Sequence, residues 1–408
     1  MLPAKQAESI ILGLLNPLCR QSDFETVAID DASGRVLAMP VAGKLDIPHW
    51  DNSAMDGYAV RYADVNAASA EAPAVLKVVE EIAAGCVPQQ LLQTGQAARI
   101  FTGAMLPEGA DTIVIQENTQ REAEKVKVLT APQPGEFVRH QGEFYRAGEP
   151  LLMPGVPLHA SQIAVLASVQ QTEITVYRRP RVAILSTGDE LVSPEQKLQP
   201  GQIVDSNQVA LGTLVAEHGG LPIRLGIIPD QRAALQEAIQ NAIADADIVL
   251  STGGVSVGDY DYVEQVLAEL GGEIHIRSVA VKPGKPLTVA AFPNGCLYFG
   301  LPGNPVSALV SCWRFVLPAL KKLAGLTAWQ PQFVEARSLS ELRSGGKRET
   351  YLWGQLRLVK GNYHFELAGG SHSSGNLINL AQTNSLAVVP VGQTCIAAGE
   401  RVEVMQIG

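Results

Sequence analysis

The chain has 408 residues, with 41 acidic against 31 basic side chains, a formal net charge of −10, and 46% hydrophobic and 18% charged residues. Such a length accommodates about three domains of ~150 residues each, and the balance is that of a folded globular protein rather than a disordered one. The negative charge argues against duplex nucleic acid or an anionic membrane as a partner, while leaving room for a local basic cluster that holds a small anion.

Cys19, Cys86, Cys296, Cys312 and Cys395 are scattered and odd in number, with no CxxC pair for zinc or a disulfide framework. The seven histidines are equally dispersed, so no His/Cys metal constellation follows from spacing. The N-terminus lacks a basic region ahead of its short apolar stretch, and no apolar run is long enough to span a bilayer. The expected location is the cytoplasm.

Residues 4–19 carry Ile10, Ile11, Leu14, Leu15 and Leu18 at helical spacing and end at Pro17 and the polar 20–22 stretch, predicting a surface helix with one apolar face. From 26 to 176 short β-branched runs (VLKVV, ARIFTG, DTIVIQ) alternate with Gly and Pro, predicting small β-rich modules. Residues 161–169 return to a helical pattern.

From Arg181 strands and helices alternate: RVAILS, a helix near 208–218, IRLGII, a helix near 231–244, DIVLS, and a helix near 262–269. This is the pattern of βαβ units, hence of a parallel sheet covered on both faces. In such sheets ligands bind beyond the carboxyl ends of strands, where strand order reverses. Two strand ends carry the same letters, Ser186-Thr187-Gly188 and Ser251-Thr252-Gly253. A hairpin turning at Asn294-Gly295 follows, then GLPGNP and a helix over 305–323 with Pro305 at its first position, where the missing N–H has no partner to lose. Residues 330–408 read as a small all-β module.

Four loops bear chemistry. In 251–261, Gly253 and Gly254 permit positive φ and exposed N–H groups before a helix, an anion-binding nest, while Asp259 and Asp261 either serve a ligand or simply cap that helix. The 187–190 segment is either a tight turn with a solvated Asp189 or a second acidic strand end. In VKPGKP, Lys282 and Lys285 flank a Pro-Gly turn that can cradle an oxyanion, against the plainer reading of solvated lysines. The fourth, LPGNPVSA, is a strand-to-helix loop with outward-facing donors. Carboxylates, lysines and helix N-termini together suit a Mg²⁺-assisted phosphate site, and the absence of a Walker loop excludes a P-loop NTPase.

The strings DNSAMDGYAV, FTGAMLPEGADTIVIQE, STGDEL, STGGVSVGDYDYV, KPGKP and GLPGNPVSA, in this order, resemble the molybdopterin molybdenumtransferase family, bacterial molybdenum-cofactor enzymes related to the E domain of gephyrin. The resemblance implies a fold that is α/β plus β and multidomain: a doubly wound, mainly parallel α/β domain, β-rich N-terminal domains and a small C-terminal β-barrel-like domain. The expected divisions are 1–44 with 145–176, 45–144, 177–327 and 328–408. It implies a homodimer that inserts molybdate into adenylylated molybdopterin, with Mg²⁺-dependent hydrolysis releasing AMP. The cleft would lie between the α/β domain of one subunit and the second domain of its partner. A molybdopterin adenylyltransferase and molybdoenzyme maturation factors are further implied partners.

Carried over position by position, Asp56, Glu190, Asp230 and Asp261 would be the catalytic acids, the last three also holding the metal. Asn52, Ser53 and Thr102 would line the facing wall, and Arg139 would meet substrate phosphate. Glu143, Ser251, Gly253, Gly254 and Asp259, with Pro302 and Asn304, complete the implied substrate contacts. Lys282, Lys285, Arg348, and Ser373 or Ser374 would hold molybdate, a dianion suited to ammonium and guanidinium donors. One position departs: after Gly142-Glu143 the family generally carries aspartate, and this chain has Phe144. Alternatives are a diverged paralogue acting on tungstate or lacking insertion, and a non-catalytic gephyrin-like scaffold.

Overall fold

The computed structural model describes residues 1–15, 18, 23–254 and 262–407. At its centre is a sheet of β1 (Arg181–Thr187), β2 (Leu221–Ile228), β3 (Ile248–Thr252), β4 (Glu273–Ser278), β5 (Pro286–Ala291) and β6 (Leu297–Leu301), in the order β2-β1-β3-β6-β5-β4. The first four of that order are parallel, and β5 and β4 extend the edge antiparallel to their neighbours. The β5–β6 hairpin turns as the sequence predicts, with Gly295 at φ 89° and Asn294 Oδ1 accepting from Cys296 N at 3.1 Å.

Alternate residues of each strand enter opposite cores, which explains the near-continuous apolar runs. Val182, Ile184, Ile248 and Leu250 pack with Leu211, Leu214 and Val215 of α1 (Asn207–Glu217). Ala183, Leu185 and Val249 pack with Leu235 and Ile239 of α2 (Arg232–Asp245) and Val266 and Leu267 of α3 (Val263–Glu269). Helices on both faces make the sheet doubly wound. On the α1 side lies the 305–323 helix, begun by Pro305 at its first turn and widened at Cys312–Val316 into a π-turn in which Leu317 N donates to Cys312 O. The extra residue makes room for Pro318, which has no N–H to give and would crowd a regular α-turn.

The N-terminal helix runs Ala4–Leu14 and stops sooner than the apolar spacing implies, with Leu15 extended. Its Ala4, Ala7 and Ile11 belong to the same core as the 305–323 helix. Leu2 adds to the 278–280 backbone, donating to Ser278 O at 3.0 Å and accepting from Ala280 N at 2.7 Å.

Phe24–Ala28 pairs antiparallel with Glu173–Tyr177 beside a small core of Leu37, Leu158, Leu166, Ile174 and Val176. Between these, Thr112–Ile115, Gly57–Val60, Gln96–Ile100, Ala74–Ile82, Lys125–Val128 and Thr119–Glu122 form a second six-stranded sheet in that order. At the C-terminus, Glu349–Val359, Asn362–Leu367, Phe333–Ser338, Arg401–Gln406 and Ser385–Val389 pair successively, and the last pairs back with the first, closing a barrel. The strand Glu349–Val359 is buried on both sides over its first half. Leu352 and Leu356 face the barrel interior, whereas Tyr351 and Trp353 enter the α/β core. Burying aromatics of this size contributes at most about 5 kcal/mol each, enough to fix the barrel on the α/β unit. No helix among the described residues is long and apolar enough to cross a membrane.

Candidate active site

The α/β site begins where the strand order reverses. The chain leaves β1 for β2 on one side and then crosses to β3 on the other, so β1 and β3 end side by side. Ser186 Oγ and Thr252 Oγ1 share a hydrogen bond of 2.9 Å between the two ends. The repeated Ser-Thr-Gly letters thus describe one place. Gly253, at φ 87°, lies so close to β1 that a Cβ there would stand 2.4 Å from Thr187 O, and no other residue fits. The Gly303 loop abuts Gly253 and is held by Asn207 Nδ2 donating to Gly303 O at 2.9 Å. Asn304 is the exposed N-cap of the helix Pro305–Ser311 and makes no side-chain cap bond, whereas Pro302 is buried beneath it.

Acidic residues follow the neighbouring ends of β1 and β2: Asp189 and Glu190 after the first, Asp230 after the second. Asp189 Oδ1 accepts from Asp230 N at 3.1 Å, and the Glu190 carboxylate folds back over Gly188. Burial first, then the negative charges of Asp189 and Glu190, push Asp230 above the usual carboxylate range. The third implied metal residue, Asp261, lies outside the described residues, as does Asp259. Among the described residues no three His, Cys, Asp or Glu side chains form a metal-holding group.

β4 lies two antiparallel steps from β6 and therefore runs parallel to it, so the 279–285 turn emerges at the same edge as the other loops. Val279 N donates to Lys285 O at 3.0 Å, closing the turn. Gly284, at φ 108°, sits where a Cβ would stand 2.6 Å from Ser311 Oγ. Val281–Lys282 then pairs in parallel with Glu349 and Thr350 of the barrel, and Arg348 Nη1 donates to Val281 O at 3.2 Å. Lys282 and Lys285 are exposed, and neither they nor Arg348 form an ion pair among the described residues.

The second group lies in 45–144. Thr102 donates to Asp56 Oδ1 twice, from its backbone N at 2.8 Å and its hydroxyl at 2.7 Å. These two bonds hold Asp56 below the usual range. Asn52–Ser53 pairs with Val138–Arg139, placing Arg139 opposite Asn52. Gly103 N donates to Ser53 O at 2.8 Å, joining Thr102 to the same wall. Asn52, Ser53, Asp56, Thr102 and Arg139 are therefore neighbours. Asp51, which sequence reasoning passed over, braces this wall: it accepts from Gln141 N at 2.7 Å and contacts His140 Nδ1 at 3.1 Å. Burial raises its pKa, but those two bonds outweigh it and leave the net shift downward. The signal was its place at the head of DNSAMD.

The remaining implied residues have settings of their own. Ser251 is wholly buried inside β3 with its hydroxyl 2.5 Å from Tyr298 Oη, so it supports the sheet rather than meeting a ligand. Glu143 turns back on its own loop, accepting from His140 N at 3.1 Å, while Phe144 is 64% exposed. Ser373 and Ser374 lie on a loop whose His372 donates from Nε2 to Ala368 O at 2.7 Å and packs on Trp353 with ring centres 4.7 Å apart. No hydrogen bond among the described residues ties either serine to the Lys282–Arg348 group.

Comparison with known proteins agrees along the whole chain. Residues 2–170 match the MoeA N-terminal region (domains I and II), 183–322 a probable molybdopterin binding domain, and 335–407 the MoeA C-terminal region (domain IV). A molybdopterin molybdenumtransferase of Nostoc sp. PCC 7120 is 59% identical over 99% of this chain and 93% of its own. The chain belongs to the molybdopterin molybdenumtransferase family. A Haemophilus influenzae member is 33% identical, covering 99% of this chain and 98% of its own. The crystal structure of the molybdopterin biosynthesis moeA protein from Pyrococcus horikoshii OT3 superposes at a TM-score of 0.86, with 29% identity and full coverage of both chains.

Proposed function

We propose that this enzyme of molybdenum cofactor biosynthesis inserts molybdate into adenylylated molybdopterin in the cytoplasm, with Mg²⁺-dependent hydrolysis releasing AMP. The observation that carries the reading is the pairing of opposite, uncompensated charges on one edge of the sheet: the Asp189, Glu190 and Asp230 carboxylates at a strand-order reversal, and Lys282 with Arg348 at the junction with the barrel. Both substrates are anions, and an acidic protein binds them only where cations are focused.

The residues present fit Mg²⁺. This ion takes one or two carboxylates and fills its shell with water and phosphate, and Asp230 is a carboxylate whose charge its neighbours oppose. Glu190 and Asp230 would hold the ion, with Asp261 as a third ligand, and when bound it would neutralise charge developing on the phosphoanhydride. Lys282, Lys285 and Arg348 bind the oxyanion and orient it toward the molybdopterin. Asp56, fixed by Thr102, stays ionised, and Arg139 beside Asn52 meets substrate phosphate. The hydrogen bonds of this wall close within 45–144, which suits a homodimer in which it faces the α/β domain of the other subunit.

The test is molybdate-dependent AMP release from adenylylated molybdopterin by the purified chain, with and without Mg²⁺. Release that ignores molybdate, or no release when both ions are supplied, would refute the reading. Tungstate in place of molybdate distinguishes the oxyanions in the same assay.

A further inference from the structure

Behind the Lys282–Arg348 cluster runs a buried polar chain to which the reaction assigns no part. Arg314, in the π-turn Cys312–Val316, is 2% exposed. Its Nη2 donates to Glu8 Oε2 of the N-terminal helix at 2.9 Å, and its Nε donates to Tyr351 Oη of the barrel at 2.9 Å. The Tyr351 hydroxyl in turn donates to Glu349 Oε1 at 2.5 Å. Nη1 has no hydrogen-bond partner among the described residues, but the guanidinium carbon lies 5.3 Å from the Phe315 ring centre and 5.8 Å from that of Phe333. Aromatic faces at such distances compensate a desolvated cation in part. One guanidinium therefore ties together the N-terminal helix, the α/β unit and the barrel.

Glu349 is where this chain reaches the site. It directly follows Arg348, pairs with Val281, and donates from its N–H to Ala280 O at 2.9 Å. Leu2 grips the other side of the same arm through Ser278 and Ala280. The ladder between arm and barrel strand covers only Val281–Glu349 and Lys282–Thr350, too short to set its own register. A slip of one residue would turn Tyr351 away from Arg314 and strand a buried guanidinium and a carboxylate. Apolar side chains could fill the same volume, but they would fix no register.

We propose that Glu8, Arg314, Tyr351 and Glu349 are positioning residues for the oxyanion site: they lock the barrel strand on the 278–282 arm so that Arg348 and Lys282 face one dianion. The proposal rests on the molybdate reading above. None of the four need touch the substrate.

The test titrates molybdate into the full chain by calorimetry for the wild type, Lys282→Ala, Tyr351→Phe and Glu8→Gln, with melting curves and AMP-release kinetics alongside. Loss of the Tyr351 hydroxyl is expected to weaken molybdate binding about tenfold, or ~1.4 kcal/mol, and to raise KM for molybdate equally while kcat stays within about twofold. Glu8→Gln, which keeps an acceptor for Arg314, shifts binding in the same direction by less. Unchanged molybdate binding in Lys282→Ala removes the oxyanion site and this proposal with it. Weaker binding in Lys282→Ala, but wild-type Kd and KM in Tyr351→Phe with only a lowered Tm, leaves the chain as packing and overturns the proposal. Should Tyr351→Phe fail to fold, Glu8→Gln decides by the same comparison.

Discussion

Two aspartates show how differently the two candidate groups are built. Asp56, on the 45–144 wall, receives two donors from one threonine and is held below its ordinary pKa. Asp230, at the sheet edge, is held above it by burial and by two neighbouring carboxylates. The first is a charge the protein has already stabilised. The second is a charge left for something else to stabilise, and a cation is the economical partner. An acid whose environment satisfies it is a fixed part of a wall, whereas an acid whose environment opposes it marks where a ligand belongs.

The largest expected effect comes from removing the opposed charge. Asp230→Asn should lower molybdate-dependent AMP release by about 100-fold or more, the usual scale for one electrostatic contributor. In the same variant the melting temperature in chelator should rise at pH 7. Because the folded pKa lies above the unfolded one, the native state binds more protons between those values, so stability falls as pH rises through that window and the asparagine escapes the penalty. At a pH below the unfolded value of 3.8 the two proteins should melt alike. A lowered Tm at pH 7 with activity retained would erase the distinction drawn here.

Next in size, Lys282→Ala combined with Lys285→Ala should raise the molybdate Kd by roughly 10- to 100-fold, as two charge-assisted contacts to a compact dianion are lost. Molybdopterin affinity should move far less, since a ligand of that size would spread its contacts over several loops. Equal losses for both ligands would mean that the turn shapes the cleft rather than selecting the oxyanion.

Asp56→Asn should do the reverse of Asp230→Asn in a melting experiment. Its folded pKa is depressed, so its contribution is present above the unfolded value and is lost as pH falls through the folded one. The variant should therefore melt below wild type at pH 7, with the gap closing in acid. A gap that persists unchanged to low pH would assign the loss to Thr102 packing instead of to charge.

The smallest effect concerns Phe144. Phe144→Asp should raise AMP release a few-fold by restoring a carboxylate to an exposed loop, while Glu143→Gln should change little because Glu143 is spent on His140 N. Comparing kcat for the two variants decides it; a dead Glu143→Gln enzyme with no gain from Phe144→Asp would make Glu143 the working acid.

Sequence alone determined the alternation of strand and helix from Arg181, the hairpin at Asn294-Gly295, and the two Ser-Thr-Gly strand ends, because these are local matters of hydrophobic period and turn chemistry. The residues themselves singled out the acids at 189–190 and the lysines of KPGKP, whereas Asp230 entered only through the family resemblance. What only the tertiary structure decided is who meets whom. Arg348 reaches Val281, 67 positions away, through strand pairing between two domains. Ser251 turns inward to Tyr298 although its letters match a ligand loop, since in a strand covered on both faces an odd or even position decides everything. Glu8, Arg314 and Tyr351 look like a helix-surface acid, a lone arginine and a strand aromatic until the fold buries them together. Periodicity is written along the chain, but burial and partner choice depend on contacts between distant segments, and those exist only once the cores have closed.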